Sequence, residues 1–382
     1  MQKKRTPNLE LIRIVSMLMI LALHFVNGGG VVRSDIGINR EIGRFIYCFC
    51  FPCVDLFVLI TGFFWNKNSH AVAKSCKIWL QTLFYSVGTM AVILLIFGTE
   101  NIFSRKKLMW TFMPLSSSQF WFMFIYVGLL FLAPFLNLFI EKLSFRKHTA
   151  FCITLMFLFT ITPAIFPQEN TLVKNSGYEV LWFVVLYFIG AYLNRFDPFK
   201  NIGKYKCLAL IAAVTVLEYV ETVVIEAVLN SNIITDDGSL LRWKQSVASY
   251  ASFPVFISAV LWFEFFRKLE IKNEHVSKAV CRVSSLCIGV YLIHIGVFVW
   301  DILFTRIFHP DRYYDSAFLW IYFVFFVASV FTAGCIVEFI RQLLFNKLNS
   351  KIGMWVEEKA IAIKDRIIDV CSKHINLPDA AE

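Results

Sequence analysis

The chain has 382 residues, of which 58% are hydrophobic, 17% aromatic and 17% charged, with 41 Phe and a formal net charge of +10. An average soluble domain is about 45–50% apolar and about 25% charged, so this composition, with a mean hydropathy of +0.65, excludes an ordinary soluble globular protein. The excess of Lys and Arg, which in a soluble chain would suggest a nucleic-acid partner, belongs here to loops beside membrane spans, and no nucleic acid is implied.

Runs long enough to cross about 30 Å of hydrocarbon lie near residues 9–28, 43–65, 77–98, 120–140, 149–167, 180–195, 207–229, 246–267, 284–305 and 317–340. They predict an all-α polytopic membrane protein, a bundle of about ten transmembrane helices. Lys3, Lys4 and Arg5 precede the first run as in a signal peptide, but no small-x-small cleavage site follows and Arg13 interrupts the apolar stretch, which predicts an uncleaved helix. An even number of spans puts both termini on one side. That side carries more Lys and Arg than the opposite loops, although Arg105-Lys106-Lys107 falls outside, so both termini are expected in the cytoplasm.

The loops near 99–119, 168–179 and 230–245 are too short to form domains, which leaves residues 1–345 as one membrane domain and places any active site inside the bundle or at its mouths. Residues 346–382 form a cytoplasmic tail, in which Ile352, Val356, Ala360, Ile363, Ile367 and Val370 recur at helical spacing among charged residues. This predicts an amphipathic helix lying on the membrane or packed on a partner. The pattern Trp121-Phe122-x3-Tyr126-x-Gly128 is echoed by Trp182-Phe183-x3-Tyr187-x2-Gly190, an echo that aromatic belts also produce. The ten cysteines are scattered through apolar runs and read as reduced, buried thiols; Cys48, Cys50 and Cys53 spread around a helix and do not converge as metal ligands would.

A charge in hydrocarbon costs roughly 2.5–3.5 kcal/mol even on lenient scales, so intramembrane polar residues need a partner or a task. The first span carries Glu10, Arg13 and His24. Arg13 and His24 are eleven residues apart, close to three turns, and share a helix face at a separation of roughly 16 Å. The second span holds Asp55, a candidate partner for Arg13 or His24, just after Pro52, which can kink the helix. Glu218 and Glu221 in the seventh span fit packing hydrogen bonds or headgroup contacts better than catalysis, and His294 in the ninth is either a cavity group or an interhelical one. No Walker loop, dinucleotide fingerprint or HExxH is present, and Ser116-Ser117-Ser118 reads as a turn.

Three stretches resemble a known family. Leu11-Ile12-Arg13 leading to His24, Val54-Asp55-Leu56-Phe57-Val58-Leu59-Ile60-Thr61-Gly62-Phe63, and Tyr291-Leu292-Ile293-His294 occur in the order found in acyltransferase family 3, the integral-membrane acyltransferases of cell-surface glycans and antibiotics. With Trp121-Phe122 and the predicted helices, the resemblance covers about residues 7–345. It implies a bacterial plasma-membrane O-acyltransferase, with acetyl-CoA or another cytoplasmic acyl-CoA (succinyl, for example) as donor substrate, no bound cofactor, and a sugar hydroxyl of a surface polysaccharide or its lipid-linked precursor as acceptor. It also implies essential roles for His24 and Arg13. Thr61 stands where the family usually has Ser, and the arginine-rich stretch that often follows is reduced to Lys67, His70, Lys74 and Lys77.

The chemistry agrees with these residue types. Acyl transfer from a thioester to a hydroxyl needs a base for the hydroxyl proton and a donor for the tetrahedral oxyanion. Neutral His24 suits the first task, Arg13 suits the oxyanion or a CoA phosphate, and Asp55 would hold one of them in place. Lys67, Lys74 and Lys77 are either CoA contacts or ordinary cytoplasmic flanking residues, and His294 is a second candidate binding group. The competing reading is a transporter or flippase exporting a glycan through the same polar cavity. Such proteins pair broken helices in corresponding halves, and Pro52 has no matching break in the second half of the sequence. A sensor or binding protein would be expected to carry an appended soluble domain.

Overall fold

In hydrocarbon a backbone must satisfy its own N–H and C=O groups, so the apolar runs can cross only as helices or closed barrels. The computed structural model describes residues 6–35, 37–65, 70–98, 104–166, 176–231 and 249–374. Among these residues the regular elements are all helical, eight helices are long and apolar enough to cross a membrane, and Val180–Phe196 is a shorter apolar helix. The chain is an all-α, multi-pass membrane protein.

The first span is α1, Pro7–Gly28, which starts on a proline, where a helix needs no N–H donor. The second is divided into α2, Ile38–Cys50, and α3, Cys53–Phe63; the break falls at Phe51-Pro52, since proline cannot donate to the preceding turn. Next come α4, Ala71–Phe97, a short loop helix α5, Arg105–Phe112, and α6, Trp121–Lys142. The fifth span, α7 (Phe145–Met156), runs through a π-turn into α8, Thr162–Ile165. Then follow α9, Val180–Phe196, α10, Lys204–Asn230, and α11, Phe253–Arg267.

The ninth span departs from the expected 284–305. It begins earlier, with α12, Glu274–Ser284, capped by Asn273, whose side chain accepts from His275 N and Val276 N. Glu274, His275, Lys278 and Arg282 lower the hydropathy of this first helix and hide it among the polar loops in a search for apolar runs. It continues as α13, Cys287–His294, and then leaves the helix at Ile295–Phe298 before the short α14, Val299–Ile302. Gly296, flanked by the β-branched Ile295 and Val297, accounts for the interruption. A second broken helix therefore exists besides the one at Pro52. The last helix, α15, Phe318–His374, runs 57 residues without a break and so joins the tenth span to the tail.

α1 sits at the centre of the bundle, packed against α2, α3, α11, α12, α13 and α15. Its Ile12, Met17, Leu21, Phe25 and Val26 are fully buried. α3 packs tightly on α9, where glycines on both sides replace side chains. A Cβ on Gly62 would strike the backbone of Tyr187, and one on Gly190 the backbone of Leu59 and Phe63. At the start of α15's tail, Gly353 lies against the backbone of Ala73, and Glu357 Oε2 meets His70 Nδ1 at 3.2 Å, fastening the tail to α4. Outside the spans, Asp197, which ends α9, is hydrogen-bonded by Arg267, and that bond holds its carboxyl below the usual carboxylate range.

Candidate active site

A cavity of about 1510 Å³ follows α1, with Thr6, Glu10, Arg13, Ile20, Leu23, His24 and Asn27 on its wall. It therefore extends roughly 30 Å along the helix axis. Ordinary small-molecule sites hold about 300–1,000 Å³, so there is room for two reactants at once.

The end near the start of α1 is basic. Arg13 Nη1 bonds Glu10 Oε1 at 2.8 Å, and Glu10 Oε2 accepts from Ser284 Oγ at 2.5 Å, which fixes Arg13 between α1 and α12. Lys77, Lys278, Arg282 and Arg341 line the same cavity. Arg341 is buried in α15 with Nε and Nη2 each 2.7 Å from Glu338, a carboxylate that also accepts from Gln81, Tyr85 and Gln342. Arg341 Nη1 has no hydrogen-bond partner among the described residues.

The other end carries the histidines. His24 Nδ1 lies 2.8 Å from His294 Nε2, and His294 Nδ1 lies 2.8 Å from the carbonyl oxygen of Val290, one turn earlier in α13. A carbonyl only accepts, so His294 Nδ1 carries a proton; in the neutral ring Nε2 is then a lone pair, and His24 Nδ1–H donates to it. The same reasoning leaves His24 Nε2 unprotonated. The edge of Trp300 packs against the His24 ring with centroids 4.9 Å apart, and Gly28 makes this approach possible, since a Cβ there would lie 2.5 Å from the indole. Trp121, Tyr178 and Tyr250 wall this end; Trp121 lies 4.4 Å from Tyr178 and 5.8 Å from Tyr250, centroid to centroid.

Arg13, His24, His294 and Lys77 thus fall in or against one cavity, as a shared helix face and a common bundle would place them. Asp55 does not join them. It is fully buried between α3 and α9, where Oδ1 accepts from Trp182 Nε1 at 3.0 Å, and it pairs with neither Arg13 nor His24. Pro52 and the turn at Phe51 rotate the start of α3 so that Cys53, Val54 and Phe57 face the cavity and Asp55 faces α9. Lys74 is exposed and off the cavity wall, and Lys67 lies outside the described residues. Glu218 is buried in α10, away from the cavity. Among the described residues no group of three or more His, Cys, Asp and Glu is arranged to hold a metal ion.

Reading the sequence alone missed Arg282, Lys278 and the Glu338–Arg341 pair. The signal was present as Glu338-x-x-Arg341, an i,i+3 ion pair at the edge of the tenth apolar run. A family model described as an acyltransferase domain matches residues 6–338, most of the chain and all of the cavity's helices except the end of α15. The chain belongs to this acyltransferase family. Comparison with curated proteins and with solved structures yields no match. The protein is therefore a membrane acyltransferase.

Proposed function

We propose that this acyltransferase moves an acyl group, acetyl foremost, from a cytoplasmic acyl-CoA to a hydroxyl of a surface glycan or its lipid-linked precursor, in a bacterial plasma membrane. The observation that carries this reading is the chain His24–His294–Val290, which leaves an unprotonated imidazole nitrogen inside a cavity that is basic at one end and aromatic at the other.

The donor enters from the basic end, which faces the cytoplasm in this reading. Lys77 and Arg282 supply positive charge for the phosphates of CoA, and Arg13 and Arg341, whose charges are balanced by Glu10 and Glu338, offer further guanidinium N–H donors. Roughly 16 Å separate Arg13 from His24 along α1, a span suited to a long flexible arm such as the phosphopantetheine, which delivers the thioester to the histidine. The acceptor sugar enters from the other end, where Trp121, Tyr178, Tyr250 and Trp300 offer flat apolar faces.

His24 Nε2 takes the proton of the attacking hydroxyl as its oxygen bonds to the thioester carbon. The tetrahedral intermediate collapses by breaking the C–S bond, and the leaving thiolate recovers the proton from His24. His294 keeps His24 in the tautomer that this requires. No covalent acyl-enzyme is needed.

Purified protein in liposomes tests the reading. Free thiol released from acetyl-CoA only when a glycan acceptor is present, and not with His24→Ala, supports it; release of no thiol with any acyl-CoA and acceptor overturns it. The second broken helix at Ile295–Phe298 favours one other reading, a transporter that moves the glycan through the same cavity. Under that reading His24→Ala leaves glycan movement intact and the wild type adds no acyl group.

A further inference from the structure

Acyl transfer develops a negative charge on the former carbonyl oxygen, and a donor must meet it. Arg13, the sequence's candidate, lies three turns from His24 and is held by Glu10. A different group on the wall is uncommitted. Tyr291 is buried, 8% exposed, and lines the cavity; the backbone N–H of Phe122 approaches its hydroxyl oxygen, but an N–H only donates, and the Tyr291 O–H has no acceptor among the described residues. It precedes His294 by one turn of α13, with ring centroids 6.0 Å apart, and its ring packs edge-on to Phe122 at 5.8 Å. A buried O–H whose proton has no acceptor is costly, and a bundle that retains one beside its catalytic histidines has a donor ready for a group that arrives with the substrate. By contrast, the Tyr126 hydroxyl is 3.3 Å from Thr61 Oγ1, and Gln119 Oε1 is an acceptor.

We propose that Tyr291 is the oxyanion donor, a catalytic residue that hydrogen-bonds the thioester oxygen as it becomes negative. The assignment rests on the acyl-transfer reading above. As the sugar oxygen bonds to the carbonyl carbon, the carbonyl π pair moves onto oxygen and the Tyr291 O–H donates to it without giving up its proton. When the pair returns, the C–S bond breaks, thiolate leaves, and the proton held by His24 passes to it. Tyr291 ends the cycle unchanged.

The test is Tyr291→Phe in purified protein in liposomes, with acetyl-CoA as donor and surface glycan isolated from the source cells as acceptor, and with kcat, both KM values and the melting temperature measured beside wild type. Loss of one oxyanion donor lowers kcat by about 10²–10³-fold in comparable enzymes, and little change in either KM is expected, because the bond strengthens only in the transition state. The melting temperature changes little, since the buried O–H that is removed has no acceptor. A merely structural hydroxyl would lower stability and leave kcat per folded molecule unchanged, and that result overturns the assignment. So does wild-type kcat in the variant. If the wild type itself releases no thiol, the acyl-transfer reading fails first, which separates the two outcomes.

Discussion

Replacing His294 tests how the two histidines divide their work. Its Nε2 is the acceptor that fixes the proton of His24 on Nδ1, across 2.8 Å. His294→Leu keeps comparable bulk and removes that acceptor, and His294→Gln returns an amide oxygen able to accept the same bond. A net neutral hydrogen bond contributes about 0.5–1.5 kcal/mol, which sets a floor of roughly 2–13-fold on the loss in kcat. The ceiling comes from serine proteases, where disturbing the group that orients the catalytic histidine costs about 10⁴-fold, part of which reflects an aspartate charge that His294 does not supply. The expected loss for His294→Leu is therefore about 10–10³-fold in kcat, with the donor KM within about 3-fold of wild type and partial recovery in His294→Gln. The assay is initial-rate thiol release in liposomes at matched protein. Wild-type kcat in His294→Leu would refute the tautomer argument, and a loss confined to KM would move His294 from orienting the base to binding substrate.

Other changes separate binding from scaffold. Arg13→Lys loses the fork held by Glu10 and is expected to raise the acyl-CoA KM about 10-fold with a smaller effect on kcat, read from steady-state kinetics. Asp55→Asn keeps an acceptor for Trp182 Nε1 and stays within about 3-fold of wild-type activity, whereas Trp182→Phe strands a buried carboxyl and lowers the melting temperature by an amount equivalent to about 1–3 kcal/mol. Gly62→Ala forces α3 from the Tyr187 backbone and should lower the detergent melting temperature more than a substitution at the open Gly88, where an added Cβ meets nothing within 4 Å.

Much of the architecture was legible because hydrocarbon leaves the backbone few options. Apolar runs located most of the membrane helices, with eight of the described helices long enough to cross where about ten were expected and the runs near 180–195 and 246–267 forming shorter ones, and Pro52 marked a break that the structure contains. The ninth span was displaced because its first turns carry Glu274, Lys278 and Arg282, and because Gly296 ends a helix inside an apolar run that continues beyond it. Within the site, Arg13 and His24 were legible as a pair because they share one helix, where spacing fixes their relation. The contact between His24 and His294 joins residues 270 apart, and no local pattern specifies it. Asp55 faced α9 for the same reason: its orientation depends on the turn at Phe51-Pro52 and on a tryptophan 127 residues away. Arg341 escaped notice because its burial comes from packing of α15 on α4, while in sequence it stands at the end of an apolar run where charged residues are ordinary.

The central claim is that His24 serves as the base in acyl transfer to a glycan hydroxyl. The most direct measurement is the mass of base-labile acyl groups on the surface glycans of cells carrying wild-type protein, none, or His24→Ala at matched membrane levels. Esters present only with the wild type, at a mass increment naming the acyl group, are the predicted result. Equal acylation with His24→Ala, or glycans that change in amount but carry no acyl group, would contradict it.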